Sequence, residues 1–338
     1  MINVGVLGAT GAVGQRFVEL LADHPWFNLT TLAASERSAG KQYGKVVNWR
    51  LETPFPEKIA KIKVVNISPS AMKDVDLVFS ALPAEIALDV ENKFADAGIA
   101  VCSNASSHRM EPTIPLVVPE VNPDHLGLID VQRDAGRDGF IVTNPNCSTI
   151  MLVTALAPLQ KFKFTDIRVA TMQAISGAGF AGVAAMAIYD NVIPYIGKEE
   201  EKMESETLKI MGTLKGKKVI DARFKVSASC HRVPVIDGHT MAVWADIKEP
   251  VEKVKKAYTD YKPPIKGLPT QPAESVHLFS EDDRPQPRLD RMRGHGMTVS
   301  VGRLREGLRF VAMGHNTIRG AAGASVLNAE LITKKKYL

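Results

Sequence analysis

A single thiol, Cys147, stands where a turn meets the start of an apolar, helix-like run. Pro145 disfavours helical dihedral angles for the residue before it, and Ser148 and Thr149 are residue types that often begin a helix. A cysteine in that position lies near unpaired backbone N–H groups and the positive end of a helix dipole, which favour the nucleophilic thiolate. We therefore interpret Cys147 as a candidate nucleophile, with an inert core cysteine as the alternative.

A histidine and an arginine follow in two strand-like runs that flank Asp237-Gly238, a dipeptide typical of two-residue β-hairpins. A tight hairpin pairs Ile236 with His239. Alternation along the strand then places Arg232 on the face of His239 and His231 on the opposite face. The pattern predicts that His239 and Arg232 share a site, although a histidine on a strand is by default a structural residue.

A glycine-rich turn lies near the start of the chain, between a strand-like run, Ile2–Leu7, and a helix-like run, Gln15–Ala22. Glycines at 8, 11 and 14 permit positive φ and let backbone N–H groups approach a pyrophosphate at the helix N-terminus. The spacing is G-x-x-G-x-x-G, not the commoner G-x-G-x-x-G, but its place between strand and helix indicates a dinucleotide site. The residues expected at the cofactor are Gly8, Thr10, Gly11, Ala12 and Val13.

The end of the second predicted strand, Leu29–Ala34, points to the kind of dinucleotide. An NAD site usually offers a carboxylate to the ribose hydroxyls there. Here Ser35, Arg37 and Ser38 suit a 2′-phosphate through charge-assisted hydrogen bonds, which favours NADP over NAD. Glu36 would repel that phosphate from an inward position, so we expect its carboxylate to face water.

Composition bounds the class of protein. The chain has 338 residues, 45% of them hydrophobic and 23% charged, as expected for two globular domains. Three separated cysteines without C-x-x-C spacing argue against disulfides and a metal site and favour a reducing cytoplasm. No signal peptide or membrane-spanning run is evident, and the net charge of +5 is dispersed. We expect small anionic partners, with neither nucleic acid nor a membrane.

The order of apolar and helix-like runs predicts the fold class. Strands expected at Lys63–Asn66, Leu77–Ala81, Ala100–Cys102 and Phe140–Val142 alternate with helices such as Ala84–Asp96, which is typical of a parallel, doubly wound sheet. After Cys147 come strand-like runs at Asp166–Ala174, Lys225–Ile236 and His239–Ile247 and helix-like runs at Gly182–Ile193 and Lys198–Met211. An antiparallel sheet with helices on one face accounts for them.

We therefore predict an α/β protein in which an N-terminal Rossmann-like dinucleotide-binding domain is joined to an α+β catalytic and dimerisation domain with a mainly antiparallel sheet. The first domain is expected to comprise residues 1–146 and 317–338, because the alanine-rich helix Gly320–Ala329 can pack back on it. The second comprises 147–316, including a proline-rich, extended excursion at 262–290.

Together these motifs resemble those of aspartate-β-semialdehyde dehydrogenase over nearly the whole chain. The segment His315–Gly320 is more similar to the archaeal and fungal branch than to the common bacterial one. The matching segments are Gly8–Gly14, Ser80–Pro83, Ser103–Arg109, Asn144–Thr149, Gln173 with Ser176–Gly179, Glu199 with Lys202, and Arg232–His239.

The resemblance implies an enzyme that uses NADPH to reduce β-aspartyl phosphate reversibly to aspartate β-semialdehyde, with release of phosphate, in lysine, threonine and methionine biosynthesis. It implies a thioester on Cys147, acid–base catalysis by His239 and positioning of the acyl group by Gln173. Arg232 would bind the substrate carboxylate and Glu199 its ammonium group.

The same resemblance assigns residues to phosphate and to the cofactor. Arg109 and Lys202, with Asn104, would bind the phosphate. Further cofactor contacts would come from Ser80, Ala81, Leu82, Pro83, Ser176, Gly177, Gly179 and Asn316.

Other functions remain open from sequence. A related acyl reductase, such as a malonyl-CoA reductase or an N-acetyl-γ-glutamyl-phosphate reductase, would share the thiol and histidine but needs no receptor for a free ammonium group. A nucleotide-binding sensor with a structural cysteine would use the same fold without chemistry. The large antiparallel face and the resemblance both favour a homodimer or a dimer of dimers.

Overall fold

The computed structural model describes residues 1–338. The strands are β1 (Ile2–Leu7), β2 (Phe27–Ala33), β3 (Val64–Val65), β4 (Leu77–Ser80), β5 (Ala100–Ser103), β6 (Ile141–Thr143), β7 (Asp166–Gln173), β8 (Thr213–Lys215), β9 (Lys218–Ile220), β10 (Lys225–Arg232), β11 (His239–Ala245), β12 (Val276–Leu278), β13 (Val299–Arg305) and β14 (Arg309–Gly314). The helices are α1 (Ala12–Leu21), α2 (Tyr43–Val46), α3 (Ala84–Asp96), α4 (Leu128–Asp134), α5 (Cys147–Leu156), α6 (Ala185–Ile188), α7 (Glu199–Ile210), α8 (Val251–Thr259), α9 (Pro287–Asp290) and α10 (Gly323–Lys334).

Six parallel strands form the first sheet, in the order β3-β2-β1-β4-β5-β6. Their apolar residues are almost wholly buried, as in parallel sheets covered by helices on both faces. The strand order reverses between β1 and β4, where Leu7 lies beside Ser80. A doubly wound sheet binds its ligand at such a switch point. The predicted Rossmann-like domain is confirmed.

The second sheet has the order β10-β7-β11-β14-β13-β12. Its three central pairs are antiparallel, whereas β10–β7 and β12–β13 are parallel. Burial alternates along β7, where Ile167 and Val169 are buried and Arg168 is exposed. One face of this sheet therefore packs against helices, as predicted, and the sheet is mixed but mostly antiparallel. Strands β12, β13 and β14 complete it without having been predicted.

The predicted hairpin at Asp237-Gly238 is wrong. Strand β7 lies between β10 and β11, parallel to the first and antiparallel to the second. The chain after β10 instead follows the end of β7, where Ile175 N donates to Val235 O and Ser176 N donates to Ile236 O. The dipeptide signal is local, and eight continuous residue pairs between β10 and β7 outweigh it.

The helix predicted at Gly182–Ile193 is wrong for most of its length, because only the four residues of α6 are helical. The chain leaves the helical conformation at Tyr189, whose ψ is 138°, and Asp190 follows with a left-handed φ of 57°. Ile193 then pairs with Arg232 through two backbone hydrogen bonds at the free edge of β10. This segment leaves Met186, Tyr189 and Tyr195 largely exposed.

Helix α10 returns to the first domain, where Val326 and Leu327 share a core with Val4 and Phe17. The excursion at 262–290 contributes only the edge strand β12 and the short α9. The limits of the two domains, 1–146 with 317–338 and 147–316, stay a prediction. None of the helices combines the length and the apolar character that a bilayer crossing requires.

Candidate active site

Asn146 closes the start of helix α5 and fixes the position of Cys147, the first residue of that helix. Its Oδ1 accepts hydrogen bonds from Ser148 N at 2.9 Å and Thr149 N at 3.1 Å. Its Nδ2 donates to Glu199 Oε1 at 2.8 Å. The capping amide thus satisfies backbone donors that a helix start leaves free and ties the nucleophile turn to α7.

The sulfur of Cys147 faces the ring of His239, with 3.3 Å between Sγ and Nε2. His239 Nδ1 accepts a hydrogen bond from Ala174 N at 3.0 Å. The neutral ring therefore carries its proton on Nε2, next to the sulfur. Burial, together with the charge of Arg232 and the neighbouring His315, lowers the pKa of His239 to about 3.

Burial also raises the pKa of the Cys147 thiol to about 12, and Glu199 acts in the same direction. Arg109 and Arg232 oppose this shift but do not cancel it. The expectation that Cys147 is a thiolate is therefore wrong for the protein alone, because desolvation of the charged sulfur outweighs the two arginines. A neutral thiol faces a neutral imidazole.

Three adjacent strands bring His239, Gln173 and Arg232 side by side. Arg232 pairs with Gln173 across β10 and β7, and the pair Thr240 with Met172 places His239 beside Gln173 one step further. All three side chains are buried. Arg232 Nη1 donates to Ala174 O at 2.7 Å. His239 and Arg232 therefore share one site, although the predicted hairpin does not exist.

Helix α7 supplies the opposite wall. Residues three and four apart lie on one helix face, and Glu199, Lys202 and Glu206 have this spacing. Lys202 Nζ lies 3.8 Å from Glu199 Oε2. Glu206 Oε1 accepts from Arg109 Nη1 at 3.0 Å, and its Oε2 accepts from Asn146 N at 2.7 Å. The wall therefore carries both charge signs, held close to Cys147.

Most of the predicted site residues line one cavity of about 450 Å³. His239 lies behind Cys147, and Gly8, Thr10, Gly11, Ser35, Arg37, Ser38, Ser80, Ala81 and Pro83 lie outside the cavity lining, along the first sheet. The predicted residues that line the cavity are Ala12, Val13, Leu82, Asn104, Arg109, Cys147, Gln173, Ser176, Gly177, Gly179, Glu199, Lys202, Arg232 and Asn316.

The turn between β1 and α1 fits a dinucleotide. Gly8 has a φ of 78°, and a Cβ on Gly14 would stand only 2.1 Å from Gly8 O, so the turn has no room for a side chain there. Ala12 and Val13 begin α1 and border the cavity. The first N–H groups of a helix lack partners within it and bind anions such as a pyrophosphate.

The residues after β2 adjoin this turn, because Gly8 N and Ala9 N both donate to Ala33 O. Ser35, Glu36 and Arg37 are exposed there and accessible to a bound nucleotide. Their position at the carboxyl end of β2 is the place where a Rossmann domain contacts the ribose.

Sequence reasoning missed two groups at the centre. Glu206 lies seven residues after Glu199, a spacing that repeats one helix face and could have indicated its role. Ala174 acts through its backbone N–H and C=O on His239 and Arg232, and its side-chain type carries no signal of that.

This fold and cavity define a two-domain dinucleotide-binding protein with a half-buried cysteine next to a buried histidine where the domains meet. Residues 3–129 match the semialdehyde dehydrogenase NAD-binding domain, and residues 156–319 match the semialdehyde dehydrogenase dimerisation domain. The aspartate-semialdehyde dehydrogenase of Archaeoglobus fulgidus is 56% identical over 99% of both chains. That of Schizosaccharomyces pombe is 45% identical over 98% of both.

Solved structures agree. The Candida albicans aspartate semialdehyde dehydrogenase with NADP has a TM-score of 0.92 and 42% identity, with full coverage of both chains. The Vibrio cholerae aspartate semialdehyde dehydrogenase II complexed with ASA has a TM-score of 0.80 and 29% identity over 99% of both. The chain belongs to the aspartate-semialdehyde dehydrogenase family, as its motifs predicted, with archaeal and fungal relatives. None of these relatives is named for malonyl-CoA or an N-acetylated substrate.

Proposed function

We propose that this protein catalyses the NADPH-dependent, reversible reduction of β-aspartyl phosphate to aspartate β-semialdehyde, with release of phosphate. The observation that carries the proposal is the 3.3 Å contact of Cys147 Sγ with His239 Nε2. That contact lies beside a cavity bordered by the start of α1 on one side and by Arg109, Arg232 and Glu199 on the other.

Cys147 is the nucleophile of this proposal. Its sulfur attacks the acyl carbon, phosphate leaves, and a thioester remains on Cys147. His239 exchanges protons with the sulfur and with the tetrahedral intermediate, as general acid and base. With its proton on Nε2 the neutral ring donates to the sulfur side. It accepts the thiol proton at Nε2 only as the other neutral tautomer, in which the ring proton is on Nδ1 and the hydrogen bond from Ala174 N is released. Backbone N–H groups at the start of α5 are placed to stabilise an oxyanion.

The substrate carries a carboxylate and an ammonium group, and the cavity offers a counter-charge to each. Arg232 binds the carboxylate in a fork, because its guanidinium is charged and held in place by Ala174 O. Glu199 binds the ammonium group. Gln173, between Arg232 and His239 in the sheet, positions the acyl group.

Phosphate binds on the side of Arg109. The guanidinium of Arg109 is fixed by Asn104 O, which accepts from its Nη2 at 2.7 Å. Lys202 adds a second positive charge and is partly exposed to the cavity. Two cations and the Asn104 amide suit a doubly charged anion.

NADP is the cofactor of the proposal. When bound, NADPH supplies the hydride that reduces the thioester carbonyl. Gly8, Thr10, Gly11, Ala12 and Val13 would hold the pyrophosphate. Ser35, Arg37 and Ser38 would bind the 2′-phosphate, Ser80–Pro83 would give further cofactor contacts, and Ser176, Gly177, Gly179 and Asn316 would border the nicotinamide.

The test follows the reverse reaction, in which aspartate semialdehyde, phosphate and NADP yield NADPH absorbance. We expect phosphate-dependent turnover with NADP, weaker turnover with NAD, and none after Cys147→Ser. Turnover of malonyl-CoA or N-acetyl-γ-glutamyl phosphate instead would refute the substrate assignment. Binding of NADP with no turnover of any of these substrates would favour a nucleotide sensor.

We also propose a homodimer or a dimer of dimers, working in the cytoplasm. The exposed Tyr189 and Tyr195 and the sheet residue Trp244 lie within the matched dimerisation domain and give an apolar surface that a second copy would cover. Sedimentation of the purified protein tests the assembly, and a monomer at assay concentrations would contradict it.

A further inference from the structure

Glu206 is a buried carboxylate that the reaction scheme does not use. Its side chain is 2% exposed, yet both oxygens are engaged on opposite sides. Oε1 accepts from Arg109 Nη1 at 3.0 Å, and Oε2 accepts from the backbone N of Asn146 at 2.7 Å. Asn146 directly precedes Cys147. One carboxylate therefore contacts the phosphate-side arginine and the nucleophile turn together.

The orientation of Arg109 depends on two acceptors. Glu206 engages Nη1, and Asn104 O engages Nη2. Nε is buried and lacks a protein partner. A guanidinium is planar, so two fixed nitrogens determine the direction of the remaining N–H groups. Glu206 thereby decides which donors Arg109 offers to the cavity.

The loop that carries Arg109 has a separate anchor. Lys209, one turn further along α7, donates to the carbonyl oxygens of Arg109, Glu111 and Ile114 at 2.6, 2.8 and 3.0 Å. This cation fixes the backbone of the loop. Glu206 is thus free of that task and acts on the guanidinium itself.

We propose that Glu206 is a positioning residue that orients Arg109 for phosphate and aligns it with the Cys147 turn. This inference rests on the proposed binding of phosphate by Arg109. The carboxylate sets the plane of the guanidinium from the same helix face that carries Glu199 and Lys202, so the groups around the acyl phosphate share one rigid support.

Glu206→Gln separates the two contacts. The amide oxygen still accepts from Asn146 N, but the amide N–H₂ then faces the N–H donors of Arg109 and drives the guanidinium away. We expect KM for phosphate to rise about 10-fold or more, the effect of losing a hydrogen bond to a charged group. We expect kcat at saturating phosphate to change less than about threefold, since the nucleophile turn keeps its acceptor.

Glu204→Gln is the matched control. Glu204 lies on the same helix and also accepts a backbone N–H, that of Ala228 at 3.0 Å, but has no contact with Arg109. We expect its phosphate KM to stay that of the unmodified protein. If Glu206→Gln lowers the melting temperature, Glu206→Asp is used as the test variant instead, because its shorter side chain keeps the negative charge but lies further from Arg109. We expect phosphate KM to rise in this variant too, by less than in Glu206→Gln.

Arg109→Ala separates the proposed binding of phosphate by Arg109 from the proposed positioning role of Glu206. If Arg109→Ala leaves phosphate KM unchanged, the phosphate role of Arg109 is wrong. If Arg109→Ala raises phosphate KM but Glu206→Gln and Glu206→Asp do not, Glu206 is only structural and the inference is overturned. In the double variant we expect no further rise beyond that of Arg109→Ala, because Glu206 acts through that guanidinium.

Discussion

The rate at which Cys147 is alkylated, followed against pH, tests the electrostatics of the site directly. Iodoacetamide reacts with thiolate and not with thiol. Burial and Glu199 raise the pKa of Cys147 from 9.0 to about 12. We expect its alkylation rate to rise about tenfold per pH unit from pH 7 to pH 10 without a plateau, because the thiolate stays a small fraction throughout.

The magnitude follows from the shift. At pH 8 a thiol with a pKa of 9.0 is about one tenth thiolate, whereas a pKa of about 12 leaves about one part in ten thousand. Cys147 should therefore react about a thousandfold more slowly than the same cysteine in the unfolded chain. It should still react faster than Cys102 and Cys230, which are 1% and 0% exposed, because only Cys147 borders the cavity.

The assay is mass spectrometry of the three cysteine peptides after timed labelling, with Glu199→Gln as the comparison. Removing that negative charge lowers the thiol pKa, so labelling of Cys147 at fixed pH should accelerate. A plateau with a midpoint below pH 9 in the unmodified protein would refute the reasoning, since the helix start and the arginines would then outweigh burial.

Three further substitutions have defined outcomes. Glu199→Ala should raise KM for aspartate semialdehyde sharply, because the ammonium group loses its counter-charge; an unchanged KM in steady-state assays would speak against that role. Arg37→Ala should raise KM for NADP about tenfold while leaving KM for NAD unaltered, as only the 2′-phosphate contact is lost; equal effects on both would contradict it. Arg319→Met should destabilise the fold by about 3–5 kcal/mol, because the buried Glu120 carboxylate loses its hydrogen bonds of 2.7 and 2.9 Å from Arg319. Urea unfolding measures this loss, and a value below about 1 kcal/mol would show that the ion pair contributes little to stability.

The sequence predicted those parts of the molecule that depend on local pattern. The glycines at positions 8, 11 and 14, between an apolar strand and a helix, predicted the dinucleotide turn. The residues around Cys147 predicted a helix start at the thiol, and both features form as expected. In each case the chain within about ten residues determines the conformation, so a single sequence contains the needed information.

Three of the failures involve partners distant in sequence. Asp237-Gly238 has the composition of a hairpin, but β7, more than sixty residues earlier, inserts between the two strands. The pKa of Cys147 depends on burial and on Glu199, 52 positions away, which the local turn does not reveal. The role of Glu206 depends on its hydrogen bond from Arg109, 97 positions away in the sequence. Local sequence preferences do not predict such contacts, because these form only when the chain is folded.

The ladder that sets Arg232, Gln173 and His239 in a row makes their alignment independent of the segments that join those strands. Backbone pairing on both sides of β7 fixes the spacing of the three side chains. The loops that connect these strands can therefore change in length without changing that spacing. A one-residue deletion inside β7, by contrast, would turn Gln173 toward the other face and dismantle the centre in one step.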